Sequence, residues 1–295
     1  MKRSFFVILL LTGIVMTAGM SACKSKSTKK SKSEKAVTST LTPEKLAWKL
    51  GVQCWTFKEY TFAEALQKIK QLGLKYVEMF PGQEIGGGYE GTTNFTADAD
   101  ARAAMKKLLQ EHDVTLVNYG VVNGKNDEEW KQIFDFAKDM GIQTLTAEPA
   151  PDQLDYVEKL CDEYGINIAI HNHPKPSFYW SPDTVLKYVD GRSKRIGACA
   201  DVGHWVRSGL DPVECLKKLN GRIISLHFKD LNEKSREAHD VPWGTGISDV
   251  PTILKVLKNQ GFKGVFSIEY EYHWKTSIPE LEESIKNFNK FVSEL

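Results

Sequence analysis

The hydrophobic pattern of this chain alternates between two periods from residue 49 onward. Eight short apolar runs, rich in β-branched residues, predict strands that are buried on both faces. Between these runs, apolar residues recur at helical spacing, and several of the helical stretches end at a glycine. The predicted strands are 51–57, 75–80, 115–122, 144–149, 167–173, 196–201, 223–230 and 264–270. The predicted helices are 61–72, 97–112, 127–140, 152–164, 181–189, 211–219, 250–259 and 279–292.

This succession of strand–helix units predicts the fold. Eight such units in about 250 residues are typical of an α/β fold with a single (β/α)8 TIM barrel. An open doubly wound sheet is the alternative, and it usually carries a phosphate-binding loop at its switch point. The glycine-rich stretch GGGYEG at 86–91 has neither the Lys-Ser/Thr pair of a P-loop nor the GxGxxG spacing. The pattern therefore favours the barrel.

Polar residues follow five successive predicted strands at the point where each strand ends. Because neighbouring parallel strands bring their C-terminal ends to one face of a barrel, these side chains are expected to converge there. A single carboxylate or imidazole after a strand is more often a helix N-cap or a satisfied hydrogen-bonding group, but five in succession favour a functional site. In chain order they are Glu148, His171, His173, Asp201, His204, His227, Lys229, Asp230, Glu269 and Glu271.

The residue types at these strand ends point to a metal. Carboxylate oxygens and neutral imidazoles suit a divalent ion of Mn, Co, Mg or Zn. The absence of thiolates among them argues against a structural zinc site. A divalent metal cofactor is therefore predicted.

Composition narrows the class of protein. The chain has 295 residues, 41% of them apolar and 26% charged, with a formal net charge of +1. Such a balance is typical of a globular protein, and it provides no overall field that would gather nucleic acid. The sequence contains no CxxC pair, and Cys54, Cys161, Cys199 and Cys215 are predicted to be buried free thiols. A Cys199–Cys215 disulfide is the alternative.

The N-terminal region predicts export. Residues 1–23 have basic residues, then an apolar run too short for a stable membrane span, then small residues, as in a lipoprotein signal peptide. MSAC resembles a bacterial lipobox, which implies lipidation of Cys23; cleavage after Ala22 without a lipid is the alternative. Residues 24–45 are predicted to form a disordered basic tether and 46–295 the catalytic barrel. We expect an exported protein, periplasmic or cell-surface, that meets a membrane only through the lipid on Cys23.

The strand-end residues Asp201-x-x-His204, His227 and Glu269 resemble the sugar phosphate isomerase/epimerase superfamily of xylose isomerase-like barrels. In that family a divalent metal is held by Glu, Asp, His and Glu from the last four barrel strands. Asp201, His227 and Glu269 match three of these positions, whereas the first is occupied by His171. The resemblance therefore implies Asp201, His227 and Glu269 as metal ligands, with Glu148 predicted to complete the shell. His171 and His173 are the alternatives to Glu148.

The resemblance also implies roles in catalysis. Epimerases of the family use two metal-bound glutamates to remove and return a proton next to a carbonyl. A histidine in place of one glutamate opens a β-eliminating reaction, as in inosose dehydratase, because an imidazole can protonate the leaving group. The predicted catalytic residues are Glu148, Glu269 and His173. The predicted substrate-binding residues are His171, His204, Lys229, Arg236, His239 and Trp55.

Several functions remain open at this point. Isomerase or epimerase action is favoured slightly over elimination. The sugar is expected to be unphosphorylated, because phosphorylated sugars are mostly cytoplasmic and export is expected. An abasic-site endonuclease is disfavoured by the residues that end the early strands. A non-catalytic, lipid-anchored sugar-binding protein is the hypothesis from a different class. A small sugar is the expected partner, without nucleic acid, and a homodimer is possible by the family resemblance.

Overall fold

The computed structural model describes residues 40–295. The predicted signal peptide 1–23, the predicted lipidation site Cys23 and most of the predicted tether lie outside the described residues. Residues 40–45, predicted as the end of the tether, belong to the same unit as residues 46–295. A 3₁₀ turn spans Glu44–Leu46, and the Lys45 ammonium donates to the Thr40 carbonyl at 2.7 Å.

A closed barrel of eight parallel strands forms the centre of this unit and confirms the predicted fold. In chain order the strands are β1 (Lys49–Gln53), β2 (Tyr76–Met79), β3 (Glu84–Gly86), β4 (Tyr89–Thr92), β5 (Thr115–Gly120), β6 (Thr144–Ala147), β7 (Asn167–His171), β8 (Ile196–Asp201), β9 (Ile223–Phe228) and β10 (Val265–Ile268). Their order around the barrel is β1-β2-β5-β6-β7-β8-β9-β10, with β10 pairing back onto β1. The remaining two strands, β3 and β4, form a separate antiparallel hairpin that includes most of the glycine-rich stretch 86–91.

Helices return the chain between the barrel strands, as the periodicity predicts. None of the helices within residues 40–295 is long and apolar enough to cross a membrane. The helices are α1 (Phe62–Gln71), α2 (Ala99–Glu111), α3 (Asp127–Met140), α4 (Leu154–Tyr164), α5 (Pro182–Val189), α6 (Val202–Arg207), α7 (Pro212–Lys218), α8 (Val250–Asn259) and α9 (Ile278–Ser293).

Helix α6 is the one helix that the hydrophobic pattern does not predict. It begins directly after β8 because the Asp201 carboxylate accepts a hydrogen bond from the His204 backbone N–H at 2.7 Å, as an N-cap does. Six residues are too few to show a helical period. The short helix fixes the position of the His204 side chain relative to the end of β8.

The packing around the barrel is apolar on its outer face. The side chains of α1 to α9 that face the strands are buried, and all four described cysteines are free and buried, as predicted. Trp205, a residue that could have stacked on a ligand, is fully buried in this core. The interior of the barrel is different, because polar side chains occupy its C-terminal end.

Candidate metal centre and active-site cavity

Four polar side chains meet at the C-terminal end of the barrel. His171 is the last residue of β7, Asp201 the last of β8, His227 lies near the end of β9, and Glu269 directly follows β10. Strand register brings them together, since Asp201 pairs with His227 and His227 pairs with Ser267. One potential ligand atom from each of the four lies within 4.8 Å of all the others. We call these four residues the strand-end cluster.

Unpartnered nitrogen atoms indicate that the strand-end cluster suits a metal ion. His171 Nε2 and His227 Nδ1 are buried and have no hydrogen-bond partner among the described residues. Each lies next to a carboxylate, since His171 Nε2 is 3.5 Å from Asp201 and His227 Nδ1 is 3.1 Å from Glu269. Two imidazole nitrogens and two carboxylates are a donor set that divalent transition metals accept. The residues present therefore fit the predicted cofactor.

The far nitrogen of each cluster histidine is held by a second carboxylate. His227 Nε2 is 3.0 Å from Glu78, and His171 Nδ1 is 3.1 Å from Glu148. Metal-binding histidines usually have such an outer carboxylate, which fixes the ring and raises its basicity. Both imidazoles are thereby oriented with the opposite nitrogen toward the cluster.

The strand-end cluster differs from the predicted set of metal ligands in one residue, because it contains His171 in place of Glu148. Glu148 lies one residue beyond the end of β6, and its carboxylate is bonded to His171 and His173. His171, one of the alternatives, takes the fourth place in the strand-end cluster. Burial raises the pKa of Glu148, but the hydrogen bonds from His171 and His173 outweigh it and lower the pKa to about 2. Glu148 is therefore ionised at neutral pH and stands behind His171.

Glu78 lies beneath the cluster and is completely buried. Its carboxylate accepts hydrogen bonds from Thr146 at 2.7 Å and from Ser267 at 2.6 Å, in addition to its contact with His227. Burial raises the pKa of Glu78, but the charge and hydrogen bond of His227, with those two hydroxyls, lower it below its usual value. Glu78 thus supports His227 from the barrel interior.

The ammonium of Lys229 is buried against the same cluster. It contacts Asp201 Oδ2 at 2.6 Å and also Glu269 Oε2. Burial lowers the pKa of Lys229, but the nearby carboxylates outweigh it and raise the pKa, so the side chain is charged. Gly203 leaves room for this side chain, because a Cβ at Gly203 would lie 2.8 Å from the Lys229 side chain. The ammonium balances part of the negative charge of the two carboxylates.

A cavity of about 310 Å³ opens above the strand-end cluster. His171, His173, His204 and Glu269, four of the predicted site residues, are among the residues that line it. Lys229, which is predicted to bind substrate, is fully buried and does not line this cavity. The other residues that line the cavity are Gln53, Trp55, Phe80, Pro81, Gly120, Val121 and Glu271.

Glu271 and Arg207 form a charged pair at one side of this cavity. The Arg207 guanidinium donates to Glu271 at 2.5 Å and to the buried Asp240 at 3.2 Å. Glu271 is also 3.7 Å from His204 Nε2. His204 Nδ1 lies 3.0 Å from the backbone carbonyl of Asn172, to which it can donate, which leaves Nε2 toward the cavity. Burial is the main cause of a lowered His204 pKa, so this imidazole is neutral at neutral pH.

Two of the predicted substrate-binding residues lie away from the cavity. Arg236 donates to the backbone carbonyl of Lys175, and the His239 ring packs on Tyr272 with 4.3 Å between ring centroids. Neither residue lines the cavity. Trp55, which is also predicted to bind substrate, does line it and is 36% exposed.

Glu78 and Gln53 belong to this site although the sequence did not single them out as site residues. Glu271, predicted as a strand-end residue without an assigned role, lines the cavity as well. Glu78 interrupts the apolar run of β2, and a charge inside a strand buried on both faces is a signal that a polar partner lies nearby. Glu271 follows Glu269 by two residues, which places both on one side of an extended chain. Gln53 ends β1, and its amide donates to the Gly120 carbonyl at 2.8 Å.

Comparison with known proteins places the chain in a family. A sequence profile described as the xylose isomerase-like TIM barrel matches residues 66–291. The chain belongs to the xylose isomerase-like TIM barrel family. Inosose dehydratase 2 of Bacillus cereus is 24% identical over 264 residues, which cover 72% of this chain and 83% of that protein. Inosose dehydratase of Clostridium perfringens is 28% identical, and the match spans 57% of this chain and 56% of that relative.

Two solved structures agree with the fold. The crystal structure of an uncharacterized protein from Parabacteroides distasonis ATCC 8503 is 39% identical, with a TM-score of 0.69, and covers 83% of this chain and 99% of that one. D-Allulose 3-epimerase from Methylomonas sp., solved with D-allulose, is 14% identical, with a TM-score of 0.64 and coverage of 82% and 96%. At 14% identity the similarity to the epimerase is evidence for the barrel fold and not for a shared activity.

Proposed function

We propose that this family member is a divalent-metal-dependent enzyme that removes a proton next to a carbonyl of an unphosphorylated sugar or keto-sugar and expels a β-leaving group. The observation that carries the proposal is the presence of an imidazole, His171, where an epimerase of this family would have its second glutamate. Only one carboxylate of the strand-end cluster, Glu269, reaches the cavity floor. The inosose dehydratases that this chain matches support elimination as the reaction class.

His171, Asp201, His227 and Glu269 would hold the metal ion. A divalent cation at this position supplies Lewis-acid polarisation of the substrate carbonyl, which makes the adjacent C–H more acidic. The chain itself keeps this arrangement rigid, because Glu78 and Glu148 fix the two imidazoles from behind.

Glu269 is the proposed base and His173 the proposed acid. Burial raises the pKa of Glu269, but the charge of Lys229 is the chief influence that lowers it to about 2. The carboxylate is therefore ionised at neutral pH, which is the state that a base requires. The electrons of the broken C–H bond form a new C=C bond, and the β C–O bond breaks. His173, held by Glu148 through Nδ1, can give the proton that the departing oxygen needs. His204 and Glu271 are placed to contact substrate hydroxyls.

Isomerisation or epimerisation, which the sequence alone favoured slightly, starts with the same proton transfer. It differs in requiring a second base that returns the proton on the opposite face of the carbon. That position offers His171, which is buried between Glu148 and Asp201, and not a second carboxylate. Elimination is therefore the better match to this cavity.

Metal analysis combined with product mass tests the proposal. The purified protein should retain about one divalent ion after reconstitution and dialysis, and His227→Ala should lose it because the remaining cluster donors cannot replace the imidazole. Incubation with keto-sugars and glycosides should give a product lighter by water or by an alcohol. A product of unchanged mass would indicate isomerisation, and saturable binding without any product would indicate a sugar-binding protein.

We also propose export and lipid attachment at Cys23, which is the reason for expecting an unphosphorylated substrate. In a bacterial host, Cys23→Ser should move the protein from the membrane fraction to the soluble fraction, because one lipid-modified residue is the expected anchor. Equal membrane association of both proteins would rule out the anchor.

A further inference from the structure

A second cavity lies beside the one above the strand-end cluster. It has a volume of about 480 Å³, and Trp55 and Phe80 line both cavities. The two rings pack edge to face, with 5.1 Å between their centroids. We call the cavity above the cluster the inner cavity and this one the outer cavity. A ligand longer than one sugar ring could therefore pass over the two aromatic rings and occupy both.

The aromatic wall between the cavities is held in place from both sides. The Trp55 backbone N–H donates to the Gln53 side chain at 3.0 Å. The Lys58 ammonium lies 4.6 Å from the Trp55 ring centroid and 3.8 Å from the Trp274 ring centroid, so it bridges the two indoles. An exposed tryptophan fixed in this way loses little conformational entropy when a ligand packs on it.

The outer cavity is also built as a fixed surface. Gln83 is buried in its wall, and its side-chain amide donates to the backbone carbonyls of Phe57 and Tyr60 at 3.2 and 2.9 Å. The loop that carries Trp55 is thereby tied to the segment that precedes β3. Most residues that line this cavity are polar or charged, and Trp55 and Phe80 provide its apolar wall.

The charges around the outer cavity define the kind of ligand. Three carboxylates line it, those of Glu59, Glu64 and Glu84, against the single ammonium of Lys58. Glu64 is used in the N-terminal capping box of α1. Within residues 40–295, neither Glu59 nor Glu84 takes part in an ion pair, and both are exposed. Free carboxylates accept hydrogen bonds from hydroxyl groups and repel phosphate or carboxylate groups.

We propose that the outer cavity is a subsite for a second, neutral sugar ring, so that the substrate is a disaccharide or a similar glycoside. The apolar face of that ring would pack on Trp55, and its hydroxyls would donate to Glu59 and Glu84. The reacting ring would lie in the inner cavity above the strand-end cluster. This inference rests on the proposed sugar chemistry of the inner cavity and adds the size and charge of the substrate.

Calorimetric titration of the metal-reconstituted protein tests the subsite. The probes are glucose and three glucose disaccharides, maltose, cellobiose and trehalose. At least one disaccharide should bind about tenfold more tightly than glucose, which corresponds to about 1.4 kcal/mol, because its second ring packs on Trp55. Trp55→Ala should reduce that preference to within about twofold, and Trp55→Phe should restore part of it.

A matched control and a turnover assay separate the outcomes. Trp180→Ala removes a partly exposed indole that lines neither cavity and should leave the preference intact. No preference for any disaccharide, or an equal loss of glucose and disaccharide binding in Trp55→Ala, overturns the subsite. Turnover of monosaccharides without such a preference overturns the subsite but leaves the proposed reaction standing. A preference that depends on Trp55, without any turnover, supports the subsite and counts against the reaction.

Discussion

Two carboxylate–imidazole contacts flank the strand-end cluster, and they lie in different surroundings. Glu78 and His227 are both fully buried inside the barrel. Glu148 and His171 lie nearer the mouth, where the Glu148 side chain is 17% exposed and also contacts His173, which is 48% exposed. The chemistry of each contact is the same, so the contrast comes from access to solvent and substrate.

The two contacts are expected to have different roles, one in stability and the other in the reaction. Every contact of the Glu78 carboxylate is made with another buried side chain, so a change there disturbs the barrel interior. Glu148 instead joins a buried imidazole, His171, to an exposed one, His173. We therefore expect the inner contact to determine stability and metal affinity, and the outer contact to determine turnover.

The largest effect is expected at Glu78. Glu78→Ala leaves His227, Thr146 and Ser267 without their acceptor inside the barrel, and it should lower the free energy of unfolding by about 3–5 kcal/mol. Urea denaturation of the metal-free protein measures this change. Glu148→Ala, at the more exposed contact, should cost only about 1–2 kcal/mol. Equal losses in the two variants would remove the distinction between the contacts.

The next effect is expected in turnover at His173. His173→Ala should lower kcat about 100-fold, or about 3 kcal/mol in the barrier, because it removes the proposed acid. The free energy of unfolding should change by less than about 0.5 kcal/mol, since the side chain is half exposed. His273→Ala is a matched control, because His273 has the same 48% exposure and a carboxylate partner in Glu280. Similar kinetics in the two variants would contradict the role of His173.

The smallest effect is a pH dependence of stability at Glu148. Its pKa is lowered to about 2, so its contribution is present above pH 4.5 and lost as the pH falls toward 2. Burial lowers the pKa of His171, but Asp201 and Glu148 raise it to about 9, so its contribution is lost as the pH rises toward 9.

The pair should therefore stabilise the metal-free protein most between pH 4.5 and 6.5. Glu148→Gln should reduce the free energy of unfolding there by about 1–2 kcal/mol, with a smaller difference on either side. Urea denaturation across this range gives the curve. A difference that is constant with pH would mean that Glu148 acts through shape and not through charge.

The sequence by itself determined the barrel and the face on which polar groups gather. Alternating strand and helix periods are local properties, and parallel strands joined by helices must place all their C-terminal ends together. Asp201, His227 and Glu269 were assigned to one site on that ground and by family resemblance, and the structure brings the three within 4.8 Å. The fold could be predicted because hydrophobic periodicity repeats eight times over the chain.

Only the tertiary structure decided which side chains contact one another at the C-terminal end of the barrel. Glu148 and His171 both follow apolar strands, but the last residue of β7 points its ring into the cluster, while Glu148, beyond the end of β6, stands behind it. Glu78 lies 149 residues from His227 along the chain and still accepts its hydrogen bond. Strand stagger and side-chain direction set such contacts over distances of a few ångströms, and no local pattern of the sequence encodes them.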